Sequence, residues 1–367
     1  MSVAIILGTR PEIIKMSPII REYERRGDDY FILHTGQHYS YSMDRIFFEQ
    51  LHLPDARYNL NVGSGLQGEQ TGKMLTQIER VLINEKPRAV LVQGDTNTVL
   101  AGALAAAKLH IPVGHVEAGL RSNDRRMPEE INRVLTDHVS DYLFAPTAES
   151  QRNLRREGVP EEKIFVCGNT VVDAVFQNLA IAEQAVDPLA ELGVRPGGYF
   201  LVTAHRQENV DDARKLGEIL EGLERVAAEH AMSVIYPIHP RTRKMMEQFG
   251  LRAGSVRCIE PLDYLSFLQL EKHARLILTD SGGVQEEACI LRVPCVTLRE
   301  NTERPETVVA GANILVGTDP ETIAEGVRTM MERGRSWQNP YGNGTTGRRI
   351  VEILDMEDNL TAERGQP

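Results

Sequence analysis

Twelve short apolar, β-prone runs, six in each half, alternate with longer stretches of helical character, and this alternation constrains the fold more than any other feature. The first six are Val3–Leu7, Tyr30–His34, Ala89–Gln93, Val113–Val116, Tyr142–Ala145 and Ile164–Val166. The second six are Tyr199–Thr203, Ser233–Pro237, Val256–Ile259, Leu276–Thr279, Cys295–Leu298 and Ile314–Val316. None alternates polar with apolar, as a half-exposed strand would, so each is expected to be buried on both faces in a parallel sheet covered by helices. The 367 residues exceed one ordinary core. The expected fold class is therefore α/β, with two Rossmann-like, doubly wound domains.

The domains are expected at 1–170 and 171–347, with the Pro-, Gly- and charge-rich Gln184–Gly198 as linker. Residues 348–367 follow a glycine break at Gly342–Gly347: a last helix, Arg348–Leu354, crosses back to the first domain, and the polar end frays. The N-terminus reads as a first strand with no basic segment or cleavage site, and no apolar run approaches a membrane span. Cys167, Cys258, Cys289 and Cys295 share no metal or redox spacing and read as buried thiols of a reducing compartment. A net charge of −11 argues against a nucleic-acid partner but leaves room for a local anion site at a helix N-terminus.

Open α/β sheets bind ligands beyond the carboxyl ends of their strands, so the residues after each strand carry the functional information. After the first come Gly8-Thr9-Arg10-Pro11-Glu12, with Lys15 one turn on. Arg10 and Lys15 there are either phosphate ligands or solvated bases on a capped helix. Asp95, in Gln93-Gly94-Asp95-Thr96, is either an N-cap or a working acid. Glu117, in His115-Val116-Glu117-Ala118-Gly119, has nothing local to cap. Glu129 and Arg133 stand four apart on the helix opened by Pro128, which permits a plain surface ion pair. Asp95, Glu117 and Glu129 all fall on one side of the first sheet, where a carboxylate cluster can exchange protons.

In the second half, His205 follows the first strand and His239 the second, neither with a partner at metal-ligand spacing. His205 is either structural or a donor to a phosphate or hydroxyl. The sharpest signal is Thr279-Asp280-Ser281-Gly282-Gly283: a strand ends, small residues bare their backbone N–H groups and a helix begins, a geometry that cradles a diphosphate. Glu287, a turn into that helix, can accept from ribose hydroxyls.

Together, Gly8-Thr9-Arg10-Pro11-Glu12, Gln93-Gly94-Asp95-Thr96, His115 to Arg121, Pro128-Glu129-Glu130 with Asn132-Arg133, Asp280 to Gly283 and Glu303-Arg304-Pro305-Glu306 resemble the non-hydrolysing UDP-N-acetylglucosamine 2-epimerases. The likeness runs from residue 2 to about residue 355 with the motifs in order. It implies a glycosyltransferase-B type fold, two domains around a cleft, in a cytoplasmic homodimer that uses neither metal nor redox cofactor. UDP is eliminated as a proton leaves carbon 2, and is then added back to 2-acetamidoglucal with protonation on the other face, interconverting UDP-N-acetylglucosamine and UDP-N-acetylmannosamine. By the same resemblance Asp95, Glu117 and Glu129 are the acid/base groups. His205, Arg10, Ser281 and Gly282 hold the diphosphate, Lys15 and Arg133 complete the electrostatics, Gly283 and Glu287 take the ribose side, Phe267 lies near the uracil and Arg304 lines the sugar or phosphate side. Bacterial relatives bind a second UDP-N-acetylglucosamine as activator. Gln37, His38, Gln70, Arg206 and His239 correspond to that allosteric site, with Ser40 and Glu69 departing from its pattern. The competing readings are a hydrolysing 2-epimerase, a UDP-sugar glycosyltransferase of the same fold and a nucleotide-sugar sensor.

Overall fold

The computed structural model describes residues 2–37 and 41–364. The chain divides into two compact units, Met1–Phe176 with Tyr341–Pro367, and Gln177–Pro340. The division falls inside one helix, Thr170–Ala185, while the Pro- and Gly-rich Gln184–Gly198 carries a short helix, Pro188–Leu192, and belongs to the second unit.

The first unit holds β1 (Val3–Leu7), β2 (Tyr30–His34), β3 (Tyr58–Asn59), β4 (Ala89–Gln93), β5 (Val113–Val116), β6 (Tyr142–Ala145) and β7 (Ile164–Val166) in the order β3-β2-β1-β4-β5-β6-β7. Every pairing is parallel; Val3 lies opposite Tyr30 on one side and Ala89 on the other. All five residues of β1 and of β4 are buried, as expected for strands with helices on both faces. On one face Ala4, Ile6, Val90 and Val92 pack with Met74 and Ile78 and with the alanine-rich helix Asn97–Lys108. Gly102 lets that helix approach closely, since a Cβ there would stand 3.1 Å from Val92 Cγ1 and 3.2 Å from Ile6 Cδ1.

The second unit holds β8 (Tyr199–Thr203), β9 (Ser233–Pro237), β10 (Arg257–Ile259), β11 (Leu276–Thr279), β12 (Cys295–Thr297) and β13 (Asn313–Leu315) in the order β10-β9-β8-β11-β12-β13, again all parallel. In each sheet the winding reverses once, at β1/β4 and at β8/β11. Those strand ends are where a doubly wound sheet leaves an opening for a ligand.

The twelve expected strands are all present, with small shifts at β10, β12 and β13. The two-residue β3 was not foreseen. Nor was the helix Ala148–Arg156, whose buried residues are Ser150 and Leu154, too few for a legible apolar stripe. In the helix Arg10–Arg26, Pro18 leaves the Ile14 carbonyl without its usual donor, and the Ser17 hydroxyl supplies one at 2.8 Å. The last helix runs Thr346–Arg364, well beyond Leu354. Asp173 accepts from its first N–H groups, Thr346 at 3.2 Å and Gly347 at 2.9 Å, and Asp355 takes Arg26 and Arg88 at 2.5 and 2.6 Å. Those bonds tie the chain's end to the first unit.

Candidate active site

In the first unit the ends of β1, β4 and β5 lie side by side, bringing the Gly8, Gly94 and Glu117 segments together. Glu117 has φ +70°, a left-handed backbone that costs a β-carbon residue about 1–2 kcal/mol. Its carboxylate is buried and densely bonded: Lys15 Nζ at 2.6 Å and Asn169 Nδ2 at 2.7 Å donate to Oε1, and Gln93 Nε2 donates to Oε2. Lys15 therefore serves as counter-ion to Glu117.

Asp95 is held by Arg133, whose Nη2 donates at 2.5 Å, and Asn132 Nδ2 donates to its main-chain oxygen at 2.9 Å. Arg133 does not pair with Glu129; its other arm takes Glu130 at 2.8 Å. Glu130 also accepts from the N–H groups of Ser122 and Asn123, both at 2.9 Å. Burial alone would raise the Glu130 carboxyl, but these donors outweigh it and hold it below the ordinary value. Glu129 is exposed on the wall of a pocket it shares with Asp95, Thr96, Gln37 and Gln70. The first unit thus gathers all three proposed carboxylates at one strand-end region.

Glu12 was not singled out from the sequence, yet it is the most perturbed acid there. It is buried; Oε2 takes the N–H groups of Gly8 and Thr9 at 2.5 and 2.9 Å, and Oε1 the Thr96 hydroxyl. Burial pushes its pKa up to about 7, against the lowering effect of those donors and with a small push from the Asp95 charge. Asn169 was also missed, although it stands just after β7 behind Gly168, where the strand-end rule would have found it. Arg10 lies 4.9 Å above the Phe47 ring with Nε 3.4 Å from Asp44 Oδ1.

The second unit repeats the layout with different chemistry. Thr203 and Thr279, ending β8 and β11, share a hydroxyl bond of 2.6 Å. Asp280 is fully buried and accepts from the N–H groups of His205 and Arg206, each at 2.9 Å, which fixes the His205 turn. Asp280 is therefore structural, not a ligand group, while His205 Nδ1 stands 3.5 Å from it. Ser281 stands at the N-cap position of the nine-residue helix Gly282–Ile290 without a capping side-chain bond, and the helix's first N–H groups belong to Gly282 and Gly283. A Cβ at Gly282 would meet nothing nearer than Glu303 Oε2 at 3.9 Å and the Arg304 guanidinium at 4.0 Å, so Arg304 stands beside the cradle. Its Nε pairs with Glu286 at 2.6 Å.

His205, His239, Pro237, Leu262, Phe267, Ser281 and Val284 line one largely apolar pocket, with the two imidazoles 5.8 Å apart. Burial first, then the His205 and Arg241 charges, lowers the His239 pKa. His239 thus shares the pocket of Phe267 and Ser281. Tyr264 donates to Glu287 at 3.2 Å. The buried Glu271, missed from the sequence, is held far above the ordinary carboxyl value by burial and then by the Glu287 charge.

Of the activator residues, Gln70 bridges the carbonyls of Gln37 and Gly63, both at 2.8 Å, and Gln37 accepts from Thr98. Arg206 Nη1 lies 3.6 Å from Glu303. His38 lies outside the described residues. Among the described residues no helix is long and apolar enough to cross a membrane.

A family model described as UDP-N-acetylglucosamine 2-epimerase matches residues 21–355. The chain is 60% identical over 361 residues to the UDP-N-acetylglucosamine 2-epimerase of Methanocaldococcus jannaschii, covering 96% of this chain and 99% of that one. A crystal structure of that archaeal protein with UDP-GlcNAc and UDP superposes with a TM-score of 0.88 over 97% of this chain and 100% of that one. A Pseudomonas aeruginosa relative, a UDP-2,3-diacetamido-2,3-dideoxy-D-glucuronate 2-epimerase, is 45% identical over 360 residues, covering 96% of this chain and 99% of its own.

Proposed function

The chain belongs to the UDP-N-acetylglucosamine 2-epimerase family, and on that premise we propose a division of labour in which its first unit moves protons and its second holds UDP. The chain is an isomerase that inverts carbon 2 of UDP-N-acetylglucosamine. One carboxylate removes the carbon-2 proton while the bond from carbon 1 to the diphosphate oxygen breaks, its electrons leaving with UDP. The 2-acetamidoglucal that remains is protonated from the opposite face as UDP adds back. Carbon 1 and carbon 2 regain their oxidation levels, so the balance calls for no oxidant.

Asp95, Glu117 and Glu129 are the acid/base groups of this reading. What carries it is Glu117: a buried carboxylate in strained backbone after β5, next to the β1/β4 switch point and close to Gly94, arranged at a cost that packing alone does not require. The carbon-2 proton is weakly acidic with no carbonyl in conjugation, so stabilising the departing diphosphate must supply much of the barrier lowering. Gly282 and Gly283 offer N–H groups at a helix N-terminus, with Ser281 at the N-cap position, its own N–H bonded to the Thr279 hydroxyl, and with His205 and Arg304 beside them; Arg10 is the further diphosphate group of this reading. Phe267 and Val284 suit the uracil, and Glu287 the ribose hydroxyls. The activator residues, a cytosolic setting and a homodimer belong to the same reading. Ile131 and Leu135, 43% and 46% exposed one turn apart, suit a face covered by a second copy.

Proton NMR of the protein with UDP-N-acetylglucosamine in deuterated water tests the activity. UDP-N-acetylmannosamine bearing deuterium at carbon 2, with little free UDP, is expected. Stoichiometric UDP and free N-acetylmannosamine would place the chain among hydrolysing enzymes. Turnover only of the 2,3-diacetamido glucuronate sugar would move the substrate assignment to that of the Pseudomonas relative.

A further inference from the structure

One buried network in the first unit takes no part in the chemistry above. His115 is completely buried on β5, opposite Val92 of β4. Its Nδ1 stands 2.6 Å from Asp137 Oδ1 and its Nε2 2.8 Å from the carbonyl oxygen of Gly94. A carbonyl only accepts, so Nε2 carries a proton. Asp137 also takes the N–H of Gly119 at 3.1 Å and Nη2 of Arg121 at 2.7 Å, a set of donors suited to an ionised carboxylate. Burial would raise the Asp137 carboxyl, but the charges and bonds of His115 and Arg121 overcome this and hold it below the ordinary value. Both ring nitrogens of His115 thus face acceptors, the Asp137 carboxylate on one side and the Gly94 carbonyl on the other.

The far end of this network matters for the site. Gly94 has φ +87°, its N–H donates to Val116 at 3.1 Å, and its carbonyl is the one His115 grips. The next residue is Asp95. A Cβ at Gly94 would stand 3.9 Å from Glu117 Oε2, so the gripped peptide lies between the two carboxylates. A glycine in that conformation is the softest link in the segment, because it has no side chain to lock it.

We propose that His115 is a positioning residue: by donating from both ring nitrogens it ties the Gly94 carbonyl to Asp137 and so fixes the Gly94–Asp95 peptide against Glu117. The proposal rests on the reading that Asp95 and Glu117 transfer the proton. Because the partners of His115, Asp137 and Gly94, both belong to the first unit, loss of its grip falls on kcat and on carbon-2 exchange, leaving UDP affinity intact.

Two variants separate the two bonds. Asn at 115 reproduces the Nδ1 donor, so His115→Asn keeps Asp137 and releases Gly94. Gln reproduces the Nε2 donor, so His115→Gln keeps Gly94 and releases Asp137. With UDP-N-acetylglucosamine in deuterated water, His115→Asn is expected to lower kcat and carbon-2 deuterium uptake about 100-fold, the scale of a 1 Å misplacement. KM and the Kd for UDP should stay within about twofold, and His115→Gln should retain about tenfold more activity than His115→Asn. The reverse order would show that Asp137 is the partner that matters, and two near-normal variants would show no positioning at all; either overturns the proposal. Should neither variant fold, the nitrogen-15 spectrum of the wild-type ring decides, with two ring protons expected and a single one contradicting the proposal. A wild-type chain that fails to exchange carbon 2 would instead overturn the proton-transfer reading itself.

Discussion

The two switch points share a topology and use opposite electrostatics. At β1/β4 and its neighbour β5 the first unit holds carboxylates, each with a named partner: Glu117 with Lys15, Asp95 with Arg133 and Asp137 with His115. At β8/β11 the second unit offers neutral backbone donors, two imidazoles and an apolar wall, and its buried acid, Asp280, is consumed in holding the His205 turn. Charged groups that must give and take a proton need individual support, because an unsupported buried carboxylate becomes neutral. A diphosphate needs many weak donors in fixed positions, which a helix N-terminus provides without any titratable group. On the proposed division of labour, the same α/β frame yields a reactive end and a holding end.

The contrast breaks most sharply at Glu117. Glu117→Gln removes the charge but keeps the volume, and should lower kcat about 10³-fold, within the range for a lost general acid–base group. Calorimetric affinity for UDP should be unaltered; loss of both together would mean that the two ends are not separable. Next comes Gly282. Its Cβ position is open within the protein, so Gly282→Val should fold normally yet fill the cradle, weakening UDP binding by about 10–100-fold or about 1.4–2.7 kcal/mol. Unchanged UDP affinity would remove this helix N-terminus from the binding reading.

A finer test uses pH. Glu12 has an ordinary pKa of 4.5 unfolded and about 7 folded, so the folded chain binds a proton more tightly between those values. Its contribution to stability is full below pH 4.5 and is lost as pH rises through about 7, by at most on the order of 3 kcal/mol. Glu12→Gln resembles the protonated form, so the wild type's melting temperature should fall relative to the variant's across that interval. A constant gap would mean that Glu12 stays ionised throughout. The smallest effect belongs to Glu271. With its carboxyl pushed far up by burial and the Glu287 charge, it should tolerate Glu271→Gln with a stability change of about 0.5 kcal/mol or less, checked by urea denaturation.

The grouping of the proposed acid/base residues was legible from the sequence because strand ends announce themselves. Apolar runs without alternation end at Leu7, Gln93 and Val116, and Arg10, Asp95 and Glu117 follow at once. The cradle was legible for the same reason, as Ser-Gly-Gly between a strand and a helix has few other uses. What stayed hidden was pairing across the sheet. Glu129 and Arg133 are four apart and invite an ion pair, but Arg133 turns to Asp95, far away in sequence. Gln93 and Glu12 acquire their roles only once β1, β4 and β5 share a sheet. His115, named from the sequence only as a member of a motif, acquires its role once its two partners are seen. The polar end of the chain gave no apolar stripe past Leu354, yet its helix continues to Arg364.

The central claim is that proton transfer lives in the first unit and UDP binding in the second. It is tested most directly by following carbon-2 deuterium uptake by proton NMR in Glu117→Gln saturated with UDP-N-acetylglucosamine in deuterated water. The account predicts bound nucleotide sugar with uptake reduced about 10³-fold. Uptake at the wild-type rate would contradict it.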